Sequence, residues 1–459
     1  MTEPTPEHAT PTAFRPSDRR MRPVLLDLWS EIRADWGFVS ERLADRFREA
    51  RQLHSAERRA VAETLYGMVR RFRTLEAVLV EADCPVPPPE PGREPTPERA
   101  MVELLAYRLL SEGASRDDAA GAAPNVDGRR VLAARAAQLA DPDPVRRLAL
   151  GSSLPDWLAE RFIADYGPDR AAVVAEHLNG RAPLTLRANR LKGDRGTLAA
   201  ALLTEGIATA PTAFAPDGLH ARTRTNVFGL KAFRDGLLEV QDEASQLVAE
   251  LVAPSPGALV IDACAGAGGK TLALASMMKN RGRLVALDIH AHKLAELTRR
   301  ARRAGLSNHR VVPVPADGPY PPEVAALLGR ADRVLVDAPC DGVGSMRRHP
   351  EVRWRMGRDF VEALPDVQLG IALRAADLVR PGGRLVYATC TIFEAENEGV
   401  VRRFLAARPD FERVSARELL GRARADRVAT PDGMALATLP DGSEDGMDGF
   451  FAAALRRRS

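Results

Sequence analysis

Between Met21 and Ala140 apolar residues recur at three- and four-residue steps, as in Leu43 and Phe47 and then Val61, Leu65, Met68, Val69 and Phe72. That is the spacing of one face of an amphipathic helix, and it predicts an all-α domain over residues 20–140. A stretch with Pro85, Pro87, Pro88, Pro89, Pro91, Pro95 and Pro97 interrupts it and reads as an extended loop between helices. Residues 1–19, rich in Pro, Thr and Glu without an apolar core, are expected to form a flexible tail rather than a secretory signal.

The pattern changes over residues 141–236. Helical spacing at Asp156 to Tyr166 and Ala171 to Leu178 gives way to alternation at Leu184, Leu186 and Ala188, with a further helix near Thr197 to Leu203. This predicts a small α+β module. Over residues 237–459 short apolar runs alternate with helical stretches: Ala258 to Asp262, Arg283 to Asp288, Val311 to Asp317, Arg333 to Asp337 and Arg384 to Tyr387. Continuous apolar strands separated by helices imply a parallel sheet covered on both faces, hence a doubly wound, Rossmann-like α/β domain.

Composition narrows the class. The 459 residues suffice for several domains with their own cores, and 45% hydrophobic with 28% charged residues excludes global disorder. The net charge of +3 does not by itself point to nucleic acid, so any basic surface has to be local. Cys84, Cys264, Cys340 and Cys390 are far apart with no CxxC pair, which favours neither a metal site nor a disulfide framework and fits a reducing compartment. The longest apolar stretch, Ala258 to Met278, carries Asp262 and Lys270 and is broken by glycines, so no membrane span is expected.

Ligands of doubly wound sheets bind beyond the carboxyl ends of the strands, and four of the strands read here finish in aspartate: Asp262, Asp288, Asp317 and Asp337. The first leads into Asp262-Ala-Cys-Ala-Gly266-Ala-Gly268-Gly269-Lys270-Thr271, where glycines let a ligand approach the backbone at the start of a helix. A Walker A loop requires glycine where Cys264 stands, and a dinucleotide fingerprint from Gly266 requires glycine where Thr271 stands. S-adenosylmethionine, a nucleoside ligand without phosphates, remains, with Asp288 placed to accept from ribose hydroxyls. The bland alternative is a tight strand-to-helix turn with capping aspartates.

Two further strand ends carry thiols, in Asp337-Ala-Pro-Cys340 and Tyr387-Ala-Thr-Cys390. Each cysteine alone reads as a small buried hydrophobe. Together, at the ends of strands that would lie about 4.8 Å apart if adjacent, they can share a cleft. Carbon 5 of cytosine is a poor nucleophile until carbon 6 has been attacked, and a thiolate is the natural attacker. A second positioned group then serves as base, an acid such as Asp337 supports ring nitrogen 3, and a cation such as Lys270 favours the thiolate.

With these residues the chain resembles the RsmB/Sun-type family of RNA (cytosine-5) methyltransferases from about Leu154 onward. The matching segments are Arg187-Ala-Asn189-Arg190, Gln241-Asp-Glu-Ala-Ser245, the glycine turn, Asp337-Ala-Pro-Cys340, Arg347-Arg-His-Pro-Glu351, Thr389-Cys390 and Asp448-Gly-Phe-Phe451. The resemblance implies Cys390 as nucleophile and Cys340 as the residue assisting product release. It further implies a cofactor site lined by Cys264, Ala265, Gly266, Gly268, Lys270, Asp288, Asp317 and Asp337, with Asp337 also facing the base and Lys270 between base and cofactor. The Arg347-Arg-His-Pro block is nearest the bacterial ribosomal-RNA branch. That branch implies a NusB-like N-terminal domain, a monomeric cytoplasmic enzyme without metal, and ribosomal RNA as partner. Arg58-Arg59 and Arg70-Arg71-Phe72-Arg73 are then candidate phosphate contacts, against the plainer reading of a solvated helix face. The sequence departs from the family in lacking a proline in the glycine turn and in carrying Asp341 where serine is usual. A P-loop NTPase, from Gly269-Lys-Thr271 and Arg333 to Asp337, and a non-catalytic ribosome-assembly factor stand as alternatives.

Overall fold

The computed structural model describes residues 18–114, 126–223, 225–443 and 445–459, so nearly all of the expected tail lies outside the described residues. The chain divides into two compact units, residues 1–179 with 349–358, and residues 180–348 with 359–459.

The first unit is helical: α1 (Asp18–Ala34), α2 (Val39–Glu49), α3 (Ser55–Glu81), α4 (Pro97–Ser111), α5 (Gly128–Leu139), α6 (Pro144–Ser152), α7 (Asp156–Tyr166) and α8 (Pro168–Asn179). The apolar stripe read from the sequence is its core, where Leu28, Trp29 and Ile32 of α1 join Val61, Leu65, Met68 and Val69 of α3 in one buried cluster. The proline-rich stretch is a loop up to Pro95, but Pro97 opens α4, where its missing N–H costs nothing and the Thr96 side chain caps Arg99 N. Asp127 and Asp143 cap α5 and α6 in the same way.

The expected boundary at residue 140 is not where the units divide, because α6, α7 and α8 belong with the N-terminal helices. The reason lies in α3: Thr74 Oγ1 donates to Leu150 O at 2.6 Å, and Arg73 donates to Leu154 O at 2.7 Å. Residues 349–358 also fold into this unit. Arg353 is buried there, and the Trp354 ring packs against Trp36 and Phe72 at centroid separations of 5.8 and 5.1 Å.

The second unit holds two sheets. The smaller is antiparallel, in the order β2 (Thr209–Pro211), β3 (Gly218–Ala221), β1 (Thr185–Ala188), β4 (Leu238–Val240), and α9 (Arg195–Thr204) shares its core. The larger has eight strands among the described residues. Its order is β10 (Phe411–Val414), β12 (Phe450–Arg457), β9 (Val379–Thr389), β8 (Ala331–Asp337), β5 (Leu259–Asp262), β6 (Arg283–Asp288), β7 (His309–Pro313), with β11 (Ala435–Thr438) paired to β12. Strands β5 to β9 run parallel and β12 antiparallel to β9. Alternate residues face opposite sides, and both sides are apolar: Val260, Leu284 and Ala286 join one core, Ile261, Val285 and Leu287 the other. Covering helices include α10 (Glu243–Val252), α11 (Gly269–Met277), α12 (Ala291–Ala304), α13 (Arg358–Ala376) and α14 (Glu398–Ala407). The chain leaves β5 toward β6 and β7 and returns to β8 on its other side, so the switch point opens at the carboxyl end of β5.

One expected strand is shorter than read. Strand β7 ends at Pro313 and Asp317 lies in an exposed bend beyond it, because Pro313 and Pro315 cannot donate to a ladder. No helix among the described residues is long and apolar enough to cross a membrane.

Candidate active site

The glycine turn follows β5 at the switch point. Gly266 has φ +52° with open space where a Cβ would stand, which leaves its backbone approachable. Gly268 has φ +89°, and a Cβ there would come within 2.5 Å of the Leu297 side chain, so only glycine lets α11 start against α12. Asp288, ending β6, ties the turn to its own strand by accepting from Gly266 N and His290 N, both at 2.8 Å. Asp262 is buried. It accepts from Thr271 Oγ1 at 2.7 Å through Oδ2, while Oδ1 has no hydrogen-bond partner. Burial pushes its pKa up to about 7, against the Thr271 hydrogen bond. Cys264, half-buried at the turn, has its thiol pKa pushed up by burial and then by the Asp262 charge.

Lys270, in the first turn of α11, points to the end of β8, where its Nζ stands 2.6 Å from Asp337 Oδ2 and 5.1 Å from the centre of the Phe450 ring. Burial works to discharge this ammonium, but the Asp337 charge and hydrogen bond outweigh it and hold the pKa above the usual lysine value. Cys390, in the loop that follows β9, adds to that effect.

Strands β8 and β9 are parallel neighbours with Asp337 opposite Ala388, and the loops beyond them bring the cysteines together. Cys340 Sγ lies 3.4 Å from Cys390 Sγ and accepts from Cys390 N at 3.3 Å, and both residues are half-buried. Gly344 N donates to Cys390 O at 3.0 Å, locking one loop onto the other. The contact with Cys390, then burial, then the Cys390, Asp341 and Glu396 charges raise the Cys340 thiol pKa well above the ordinary value.

The expected site residues Cys340, Cys390, Lys270 and Asp337 therefore converge, and Cys264, Ala265, Gly266, Gly268 and Asp288 form the adjoining turn. Asp317 lies in the exposed bend past the carboxyl end of β7 and not at the strand end itself. Several recognised motifs serve as braces. Arg187 Nε donates to Gln241 at 2.6 Å, and Arg348 joins Asp448 at 2.6 Å and Asp242 at 2.8 Å. Gln368, Glu396 and Asn397 were missed by sequence reasoning. A signal existed for the last two in the polar run Glu394 to Glu398 immediately after the nucleophile loop.

A doubly wound sheet with a glycine turn, acid-ended strands and two thiols past the next strand ends defines the class, a Rossmann-like methyltransferase. Residues 249–456 match the family described as 16S rRNA methyltransferase RsmB/F, and residues 154–228 match the ferredoxin-like domain of the same proteins. The chain is 31% identical over 436 residues to the probable ribosomal RNA small subunit methyltransferase B of Synechocystis, covering 90% of this chain and 94% of that protein. It is 35% identical over 319 residues to the Bacillus subtilis protein of the same description, covering 69% of each chain. Among solved structures, NSun6 from Pyrococcus horikoshii, crystallised with SFG, matches with TM-score 0.58 at 21% identity over 66% of this chain and 98% of that one, a likeness of fold. The protein belongs to the RsmB/F family of S-adenosylmethionine-dependent methyltransferases.

Proposed function

We propose that the protein transfers a methyl group from S-adenosylmethionine to carbon 5 of cytosine in structured RNA, with ribosomal RNA as substrate and the cytoplasm as compartment. The observation that carries this reading is the pair of half-buried sulfurs 3.4 Å apart beside the Lys270–Asp337 pair. Names of the relatives in Synechocystis and Bacillus subtilis support the ribosomal substrate. The residues at the glycine turn fit the cofactor: Gly266 opens the backbone, Asp288 offers acceptors for ribose hydroxyls, and the unpartnered Asp262 Oδ1 offers one for an ammonium. When bound, the cofactor supplies an electrophilic methyl group.

The chain's own residues do the rest. Cys390, as thiolate, forms a bond to carbon 6, and the displaced π electrons make carbon 5 nucleophilic while the Lys270–Asp337 pair supports the charge at ring nitrogen 3. Once carbon 5 has taken the methyl group, Cys390 is held as a thioether whose charge and hydrogen bond no longer raise the Cys340 thiol, and Cys340 gives its own proton to solvent and accepts the carbon 5 proton. The C–H electrons reform the double bond, and the sulfur–carbon 6 pair returns to Cys390.

The test is a pair of variants assayed with radiolabelled methyl donor and ribosomal RNA. Cys390→Ala transfers no label, whereas Cys340→Ala attacks but stalls, leaving a protein–RNA adduct that survives a denaturing gel. Full methylation by Cys390→Ala refutes the assignment.

A further inference from the structure

Two consecutive buried residues past the nucleophile, Glu396 and Asn397, each engage the flanks of one cysteine, Asn397 directly and Glu396 together with Gln368. Asn397 Oδ1 accepts from Thr389 Oγ1 at 2.5 Å and its Nδ2 donates to Thr391 O at 3.2 Å, so it straddles Cys390. Glu396 Oε2 accepts from Asp341 N at 3.1 Å, and from Gln368 Nε2 at 2.8 Å. The same Gln368 Nε2 lies 2.9 Å from Pro339 O, so the Glu396–Gln368 unit straddles Cys340. Tyr387, in the strand that ends at the nucleophile loop, donates to Glu396 O at 2.6 Å and anchors the dipeptide to β9. Glu396, Gln368, Thr389 and Thr391 are fully buried and Asn397 nearly so.

We propose that Glu396 and Asn397 are positioning residues that set the spacing of the two thiols, one residue for each cysteine loop. Each acts through the backbone or side chains that flank its cysteine. Because the two are joined by one peptide bond, a shift of either loop is transmitted to the other. Two residues from distant segments, Cys340 after β8 and Cys390 after β9, are thereby held as one unit. A buried carboxyl group is costly unless its acceptors are used, and here its donors are Asp341 N of the Cys340 loop and Gln368 Nε2 of α13. Gln368, reaching from α13, closes the set.

This inference rests on the two-thiol reading of the site, and its test separates the two by using no RNA. The bifunctional thiol reagent dibromobimane bridges sulfurs that lie close together, and the Cys340–Cys390 bridged peptide pair is quantified by mass spectrometry after digestion. Glu396→Ala and Asn397→Ala should form it about tenfold more slowly than the parent, since a displacement near 1 Å is enough to lose a near-attack geometry. Glu396→Gln, which keeps an acceptor for Asp341 N, should restore the rate to within about twofold of the parent. In the methylation assay the Ala variants, with kcat expressed per folded enzyme as quantified by circular dichroism, should lose kcat with the KM for S-adenosylmethionine unchanged. Thr389→Val removes only the hydroxyl that Asn397 accepts from, and decides the matter if an Ala variant does not fold. Slower bridging in Thr389→Val supports the proposal, and a parental rate overturns it. Parental bridging in folded Glu396→Ala also overturns it. A parent protein that bridges readily but methylates no RNA overturns the proposed function and leaves the positioning role standing.

Discussion

Two places in the molecule gather side chains of one kind from distant segments, and they do so for opposite ends. At the carboxyl end of α6, in the helical unit, four arginines meet backbone oxygens. Arg135 donates to Leu150 O and Gly151 O at 3.0 and 2.9 Å, Arg71 to Gly151 O at 3.3 Å, and Arg73 to Leu154 O at 2.7 Å. Arg353 Nη1 donates to Ser152 O, Ser153 O and Asn179 Oδ1, all within 3.2 Å. These cations answer the helix's last carbonyls and its negative dipole end, and Arg71 and Arg73 turn what is left toward Glu176 and Asp156. In the cysteine cleft the reactive groups face one another instead: sulfur against sulfur, ammonium against carboxylate. A side chain whose donors end on backbone is a brace. One whose partner is another reactive side chain, half-open to solvent, is placed for chemistry. By that criterion Arg58, which donates to Ala50 O and Leu53 O, and Arg71 and Arg73, whose spacing offered them as phosphate contacts, act as braces within the helical unit.

The sharpest way to break this contrast is to remove the most deeply buried brace. Burial, and then the neighbouring Arg70 and Arg71 charges, push Arg353 down to about 9, so its cation is held at a cost. Losing it nevertheless strands several buried oxygens and opens a cavity, and these outweigh the relieved desolvation. Arg353→Ala should lose about 3 kcal/mol of stability in urea unfolding of the full chain, at roughly 1 to 3 kcal/mol per stranded group. A loss under about 0.5 kcal/mol, the scale of an ordinary surface change, sinks the bracing role.

How much of this was legible beforehand follows the range of the interactions. Strand β6 was read from Arg283 to Asp288 and is found there, because a run apolar on both faces is a local signal. The meeting of Cys340 and Cys390 was readable because consecutive strand–helix units place their strand ends side by side. Asp317 ends the apolar run in the sequence but not the strand, since Pro313 and Pro315, which lack N–H groups, stop β7 before it. The membership of α6 to α8 was not legible. It is decided by contacts of Arg73 and Thr74 with residues some eighty positions away, and helical periodicity is blind to the choice of partner. The block from Arg347 to Glu351 read as one motif, yet Arg348 joins Asp242 and Asp448 whereas His349 opens the segment that folds with the helices.

On the cleft side, Asp262 gives a test in pH. An unfolded aspartate ionises near about 3.9, whereas burial holds the folded one up to about 7, so between these values the folded state keeps a proton the unfolded chain has lost. Its contribution to stability is thus fully present below about pH 4 and is lost as pH rises to about 7. The expected slope is at most about 1.4 kcal/mol per pH unit. Asp262→Asn, which keeps an acceptor for Thr271, should flatten that part of the profile and be the more stable of the two proteins at pH 8. Parallel unfolding curves for variant and parent at pH 5 and pH 8, without cofactor, would show that this carboxyl is not held protonated.

The smallest expected effect asks whether the arginine braces also touch substrate. An arginine that neutralises a phosphate releases counterions, and its removal lowers the slope of log affinity against log salt by roughly 0.7 to 0.9. Arg71→Gln takes away the bonds to Gly151 O and Glu176, a partly exposed pair whose loss should cost about 1 kcal/mol of stability. With its donors already directed at α6 and Glu176, the same change should leave the salt slope for ribosomal RNA where it was. Binding measured between 50 and 200 mM salt for parent and variant separates the readings. A slope reduced by about one unit at unchanged fold would return Arg71 to the list of phosphate contacts and erase the contrast between brace and site at that position.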